Sequence, residues 1–105
     1  MHTVMWKFTL PADARKAQLD EVISASAVSY VGIPGLIRKY YGYVLEDGKR
    51  ELVGIYLWQT RAQADAFYTA QWVEKVATRW GAMPQRHDWE TPTVVESALG
   101  GVIGR

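Results

Sequence analysis

The chain is expected to fold as an α+β domain in the order strand–helix–strand–strand–helix–strand, and three features predict it. Residues 2–10 alternate Val4, Trp6, Phe8 and Leu10 against Thr3, Met5, Lys7 and Thr9, the period of a strand with one buried face. Two later segments carry apolar residues three and four apart, the spacing of an amphipathic helix. Between them, two β-branched and aromatic runs flank Asp47-Gly48, a strong hairpin signal.

Strand one is therefore residues 2–10. Pro11 suits the first turn of a helix over about 12–31, in which Leu19, Val22, Ile23, Ala27 and Tyr30 form one face, and Lys16 and Asp20 lie four apart on the other. Gly32-Ile33-Pro34-Gly35 stops it, since glycine takes a positive φ readily and proline cannot continue the hydrogen-bond ladder. Residues 36–45 and 51–59 then pair antiparallel. Tight pairing at Asp47-Gly48 puts Lys39, Tyr41 and Tyr43 with Leu52, Gly54, Tyr56 and Trp58 on one face, and Leu36, Tyr40, Gly42 and Val44 with Val53, Ile55 and Leu57 on the other. Thr60-Arg61-Ala62-Gln63 reads as a capping box that opens a second helix. Its expected apolar stripe is Ala66, Ala70, Val73, Ala77 and Trp80, with a break near 69–71 and an end at Gly81. Residues 85–91 form the last strand, with His87 and Trp89 on one face and Asp88 on the other, at the surface or an interface.

This order is ferredoxin-like: a four-stranded antiparallel sheet with both helices on one side. The length argues for one domain, residues 1–96, followed by a tail at 97–105 that is flexible or contacts a partner protomer. The sheet's second face is too rich in aliphatic and aromatic residues to stay in water, so a homodimer is expected.

Composition narrows the chemistry. A net charge of +1 with interspersed signs offers no footprint for nucleic acid or a membrane surface. The absence of cysteine removes thiol nucleophiles and cysteine-bound metals, and two histidines, His2 and His87, do not make a multi-histidine site, so no such metal centre is expected. The N-terminus has no basic stretch leading into a long apolar run, and no segment approaches roughly 18 uninterrupted apolar residues. Cytoplasmic residence is the expectation. Five tryptophans, six tyrosines and two phenylalanines exceed what a small core needs, which points to an apolar pocket or interface and a small aromatic or hydrophobic ligand.

The candidates for binding such a ligand are Trp58 at the end of strand three, Tyr41 and Tyr56 on the ring-rich sheet face, and Tyr68 and Trp72 on the second helix. Each is equally at home as core packing. His87 is the side chain whose ordinary titration lies nearest neutrality, and Lys39 is placed to meet an acidic or phenolate ligand; these two are the candidate catalytic bases. A hydrogen-bonded structural histidine and a lysine snorkelling at the sheet margin are the alternatives.

Pro34-Gly35-Leu36-Ile37-Arg38-Lys39-Tyr40, the hairpin, Gly54-Ile55-Tyr56-Leu57-Trp58-Gln59-Thr60-Arg61, and then Ala62, Ala64, Ala66, Phe67 and Tyr68 resemble the YdhR-like monooxygenase family of the dimeric α+β barrel superfamily, whose members include antibiotic-biosynthesis monooxygenases. The likeness runs from strand one to about Glu96. It implies a homodimer with a pocket in each protomer between sheet and helices, and a relation to cofactor-free oxygenases of polycyclic phenols and anthrones. Trp58 matches the tryptophan that anthrone oxygenases carry at the end of the equivalent strand. The chain departs from those relatives in having no asparagine for the strand-one position at Met5-Trp6-Lys7-Phe8, no histidine on helix two and none at Tyr40-Tyr41-Gly42. The implied function is a cofactor-independent monooxygenase acting on a small phenolic or polycyclic aromatic substrate. A non-catalytic binding protein for such a molecule, and an isomerase or cyclase of a ketide or lactone, use the same kind of pocket.

Overall fold

A computed structural model describes residues 1–104. Its elements are β1 (His2–Thr9), α1 (Lys16–Ala27), β2 (Leu36–Glu46), β3 (Lys49–Trp58), α2 (Arg61–Phe67), α3 (Ala70–Trp80), β4 (Gln85–Glu90), β5 (Thr93–Glu96) and β6 (Gly101–Gly104). The first four strands pair antiparallel in the order β2-β3-β1-β4, the ferredoxin-like arrangement expected from the sequence. Val4, Trp6 and Phe8 of β1 and Leu52, Tyr56 and Trp58 of β3 form the floor of the core, and Leu19, Ala64, Tyr68 and Val76 cover it from the helices. Among the described residues no helix is long and apolar enough to cross a membrane.

The hairpin closes with Glu46 opposite Lys49, and Gly48 at φ 80° supplies the left-handed position that a side chain would resist. The resulting register sets Lys39 opposite Tyr56, Tyr41 opposite Gly54 and Tyr43 opposite Leu52, with the face parity the spacing predicts. Leu36 is the exception. The pairing slips between Leu36 and Arg38, so Leu36 stands opposite Trp58 and packs against the helix-side core instead of the open face.

The first helix is shorter than its periodicity suggests. It begins at Lys16, behind an extended Arg15, because the carbonyls of Pro11 and Ala14 are engaged elsewhere: both accept from the Arg50 guanidinium, and Pro11 also accepts from the Ala14 amide at 3.1 Å. Beyond Ala27 one tight turn, Val28–Tyr30, carries Tyr30 back over the sheet before Val31 becomes extended. Lys16 and Asp20 pair at 2.6 Å as expected.

Thr60 caps α2 by accepting from the Gln63 amide at 3.1 Å, and its hydroxyl donates to the Gln63 side chain. The expected break falls at Tyr68, and Thr69 caps α3 by accepting from the Trp72 amide at 3.1 Å. The stripe that packs inward is Ala64, Tyr68, Trp72, Val76 and Trp80; Ala66 and Ala70, expected there, are exposed. The inward residues run at unbroken four-residue spacing across the cap, on a face turned from the expected stripe through Ala66 and Ala70.

Thr93–Glu96 pairs with Gly101–Gly104 as a separate two-stranded hairpin. Arg38 of β2 holds Glu96 in an ion pair, and Gly104 lies against Met1 and Pro92. Of the expected tail at 97–105, Arg105 lies outside the described residues.

Candidate functional site

The inner face of β2 and β3 supplies Lys39, Tyr41, Gly54 and Tyr56, and the turn after α1 lays Tyr30 across them. The Lys39 Nζ lies 3.4 Å from the centre of the Tyr30 ring, 3.9 Å from that of Tyr41 and 4.5 Å from that of Tyr56. Three ring faces thus surround one amine, an arrangement that attracts a cation. Ser26 of α1 and the Tyr41 hydroxyl hydrogen-bond at 2.8 Å, and the Trp72 indole N–H donates to the Tyr30 hydroxyl at 3.2 Å, which fixes both rings. Phe8, Leu52, Val76 and Trp80 complete the apolar wall, and Arg79 of α3 closes the mouth.

These residues border a cleft of about 320 Å³ including open solvent at its mouth, with free space inside for little more than a water molecule. Among the described residues no carboxylate lines the cleft. Burial, and secondarily the positive charge of Arg79, push the Lys39 ammonium down to about 7. Tyr56 and Tyr41 move the other way: burial raises Tyr56, reinforced by Tyr30, and burial raises Tyr41 although the Ser26 hydrogen bond opposes it. At neutral pH these two phenols keep their protons, and Lys39 is placed to exchange one.

The sequence candidates divide between three places. Lys39, Tyr41, Tyr56 and Trp72 come together at the cleft. Trp58 and Tyr68 stand behind it in the core: Trp58 is wholly buried, its indole N–H donates to the Tyr68 hydroxyl at 3.0 Å, and its ring stacks on Tyr56 at 11° between planes. His87 lies on the opposite side of the sheet, exposed, across from Met5 and stacked on Trp89. It does not meet Lys39. Asp88, expected at the surface, instead faces the helices, where it accepts from the Arg86 guanidinium at 2.8 Å and bonds His2 at 2.7 Å. Arg86 and His2 together hold its carboxyl below the ordinary range, against the opposing effect of burial.

Tyr30, Ser26 and Arg79 are site residues that sequence reasoning missed. Tyr30 was visible only as the end of a helical stripe, and Arg79 stands out only when the stripe is drawn through Trp72, Val76 and Trp80.

Gly54 keeps the floor open. A Cβ there would lie 3.1 Å from Tyr56 Cε1 and 3.6 Å from Lys39 Cε. Gly54→Ala is expected to press the Tyr56 ring toward the cleft and weaken binding of an aromatic ligand by about tenfold, with the thermal midpoint lowered by only a few degrees. Calorimetric titration beside thermal unfolding checks it.

No protein-family sequence model and no curated protein matches the chain at a significant level. Solved structures do. SnoaB, a cofactor-independent oxygenase from Streptomyces nogalater, superposes with a TM-score of 0.61 at 14% identity, over 90% of this chain and 96% of that one. Its variant with an asparagine replaced by alanine gives 0.63 with the same identity and coverage. A Deinococcus radiodurans protein assigned as an antibiotic biosynthesis monooxygenase gives 0.66 at 9% identity, over 91% of this chain and 97% of that one. The chain has the protomer fold of these antibiotic-biosynthesis-monooxygenase-like proteins, the fold implied by the sequence resemblance.

Proposed function

We propose that the chain is a cofactor-independent monooxygenase-like enzyme that takes an enolisable phenolic or polycyclic aromatic substrate into the cleft under Tyr30 and α3. The observation that carries this reading is Lys39: an amine held among three tyrosine faces, close to neutrality in its titration and without a carboxylate in the cleft wall. A neutral amine there removes a proton from the activated carbon or hydroxyl of the substrate. The ammonium that results stays against the rings of Tyr30 and Tyr41, and Arg79 balances the substrate anion. The anion passes an electron to O₂, the two radicals combine as a peroxide, and loss of water leaves a carbonyl. For a methylene centre the sum is R₂CH₂ + O₂ → R₂C=O + H₂O, with the substrate as the reductant.

The chain has no asparagine, so Lys39 replaces any contribution that such a side chain makes in relatives. The roles divide accordingly: Lys39 is the base, and Tyr30, Tyr41, Tyr56 and Trp72 shape the cleft. Trp58 and Tyr68 support Tyr56 from behind. His87 belongs to the other sheet face, where we place a homodimer contact. Tyr40 and Trp89 are each about half exposed there, at 52% and 51%, and the protomer presents 6761 Å² of surface where a monomer of its size has roughly 6,000 Å².

Oxygen uptake with anthrone and quinol panels tests the reading. Oxygen-dependent turnover supports it; product that forms equally under argon removes it in favour of an isomerase or cyclase, and ligand recovered unchanged from a tight complex removes it in favour of a binding protein.

A further inference from the structure

The mouth of the cleft carries more positive charge than the proposed proton transfer uses. Lys75 and Arg79 lie four apart on α3, and both border the depression beside the cleft that Tyr30, Phe67 and Trp72 floor. Like charges at this spacing repel by a few tenths of a kcal/mol. Position in the last turn of α3 favours Arg79 through the helix dipole, but Lys75 stands nearer mid-helix and gains little from it.

Five other cations among the described residues are matched by carboxylates: Lys7 by Glu51, Lys16 by Asp20, Arg38 by Glu96, Arg61 by Asp65, and Arg86 by Asp65 and Asp88. Among the described residues neither Lys75 nor Arg79 has such a partner, and no carboxylate borders the depression. Glu74, next in the chain to Lys75, borders a separate groove with Ala70 and Met83. Arg79 is also near enough to act electrostatically on both Lys39 and Tyr41.

We infer that the ligand of the cleft is an aromatic acid: its ring enters beside Lys39, and a carboxylate on its outer end is held by Arg79 and Lys75 over Tyr30 and Trp72. A guanidinium fork matches a carboxylate edge, and the Trp72 amide in the first turn of α3 is already taken by the Thr69 hydroxyl. The inference rests on the proposed cleft and adds an anion to its substrate.

Calorimetric titration with 1-naphthylacetate and its neutral isostere 1-naphthylacetamide separates the two ideas. The acid is expected to bind at least about tenfold more tightly than the amide at low salt, with the gap closing as ionic strength rises. Arg79→Gln combined with Lys75→Gln is expected to remove the acid's preference over the amide and its salt dependence, while Arg79→Lys keeps part of the preference. Both residues are exposed, and an unchanged thermal midpoint shows that the variants fold. Equal binding of acid and amide, weakened in both cases by Gly54→Ala, overturns the anion site and leaves the aromatic cleft standing. Binding by neither overturns both.

Discussion

Lys39→Met is expected to lower oxygen-dependent turnover by about 10²- to 10⁴-fold, the usual contribution of a positioned general base. Lys39→Arg is expected to fail to a similar degree, since a guanidinium keeps the charge but does not give up its proton in this range. The wild-type rate should rise with pH through about 7, where the buried ammonium deprotonates, and a plot of kcat/KM against pH checks this.

Stability carries the same signature with a definite sign. The folded chain holds Lys39 near 7, whereas the unfolded chain releases its proton near the ordinary lysine value of 10.5, so between these limits the unfolded state binds more protons. Wild-type stability therefore rises with pH across that window, and the penalty is present in full below about 7. Attraction of the ammonium to the three rings reduces the size of the effect without changing its direction. Lys39→Met removes it, so the variant should gain most over wild type at pH 6 and least at pH 10 in thermal melts.

Trp58→Ala is expected to cost about 3–5 kcal/mol, a large part of the 5–15 kcal/mol that holds a typical domain together. Trp58 is wholly buried against Tyr56, Phe67 and Tyr68, so its removal leaves a void bounded by ring edges and deprives the Tyr68 hydroxyl of a donor. Denaturant unfolding measures the loss. Trp58→Phe distinguishes support from direct contact. A supporting Trp58 loses stability with kcat lowered only modestly, whereas a Trp58 that touches the reacting atoms would lose kcat while its thermal midpoint held.

The strand faces were legible because alternation and a tight turn fix register together: Lys39, Tyr41, Gly54 and Tyr56 fall on one face from Asp47-Gly48 alone. The slip beside Leu36 was not legible, because a bulge changes parity without any residue type that marks it. The late start of α1 depends on Arg50, which is thirty-six residues beyond Ala14 and takes the carbonyls of Pro11 and Ala14. His87 and Lys39 each satisfied the chemistry of a base, and only the pairing of β4 with β1 puts them on opposite sides of the sheet. Arg79 was hidden by an apolar stripe drawn through Ala70, Val73 and Ala77. The stripe that packs inward instead runs Ala64, Tyr68, Trp72, Val76 and Trp80, and on that face Arg79 borders the cleft.

Mass spectrometry of the product formed from an anthrone under oxygen-18 gas, with wild type and Lys39→Met side by side, tests the cleft as an oxygenase site most directly. The expected result is a new carbonyl carrying one oxygen-18 atom from the wild type and at most a background trace from the variant. Product of unchanged mass, oxygen taken from water, or equal labelling by Lys39→Met would contradict oxygenase chemistry driven by Lys39.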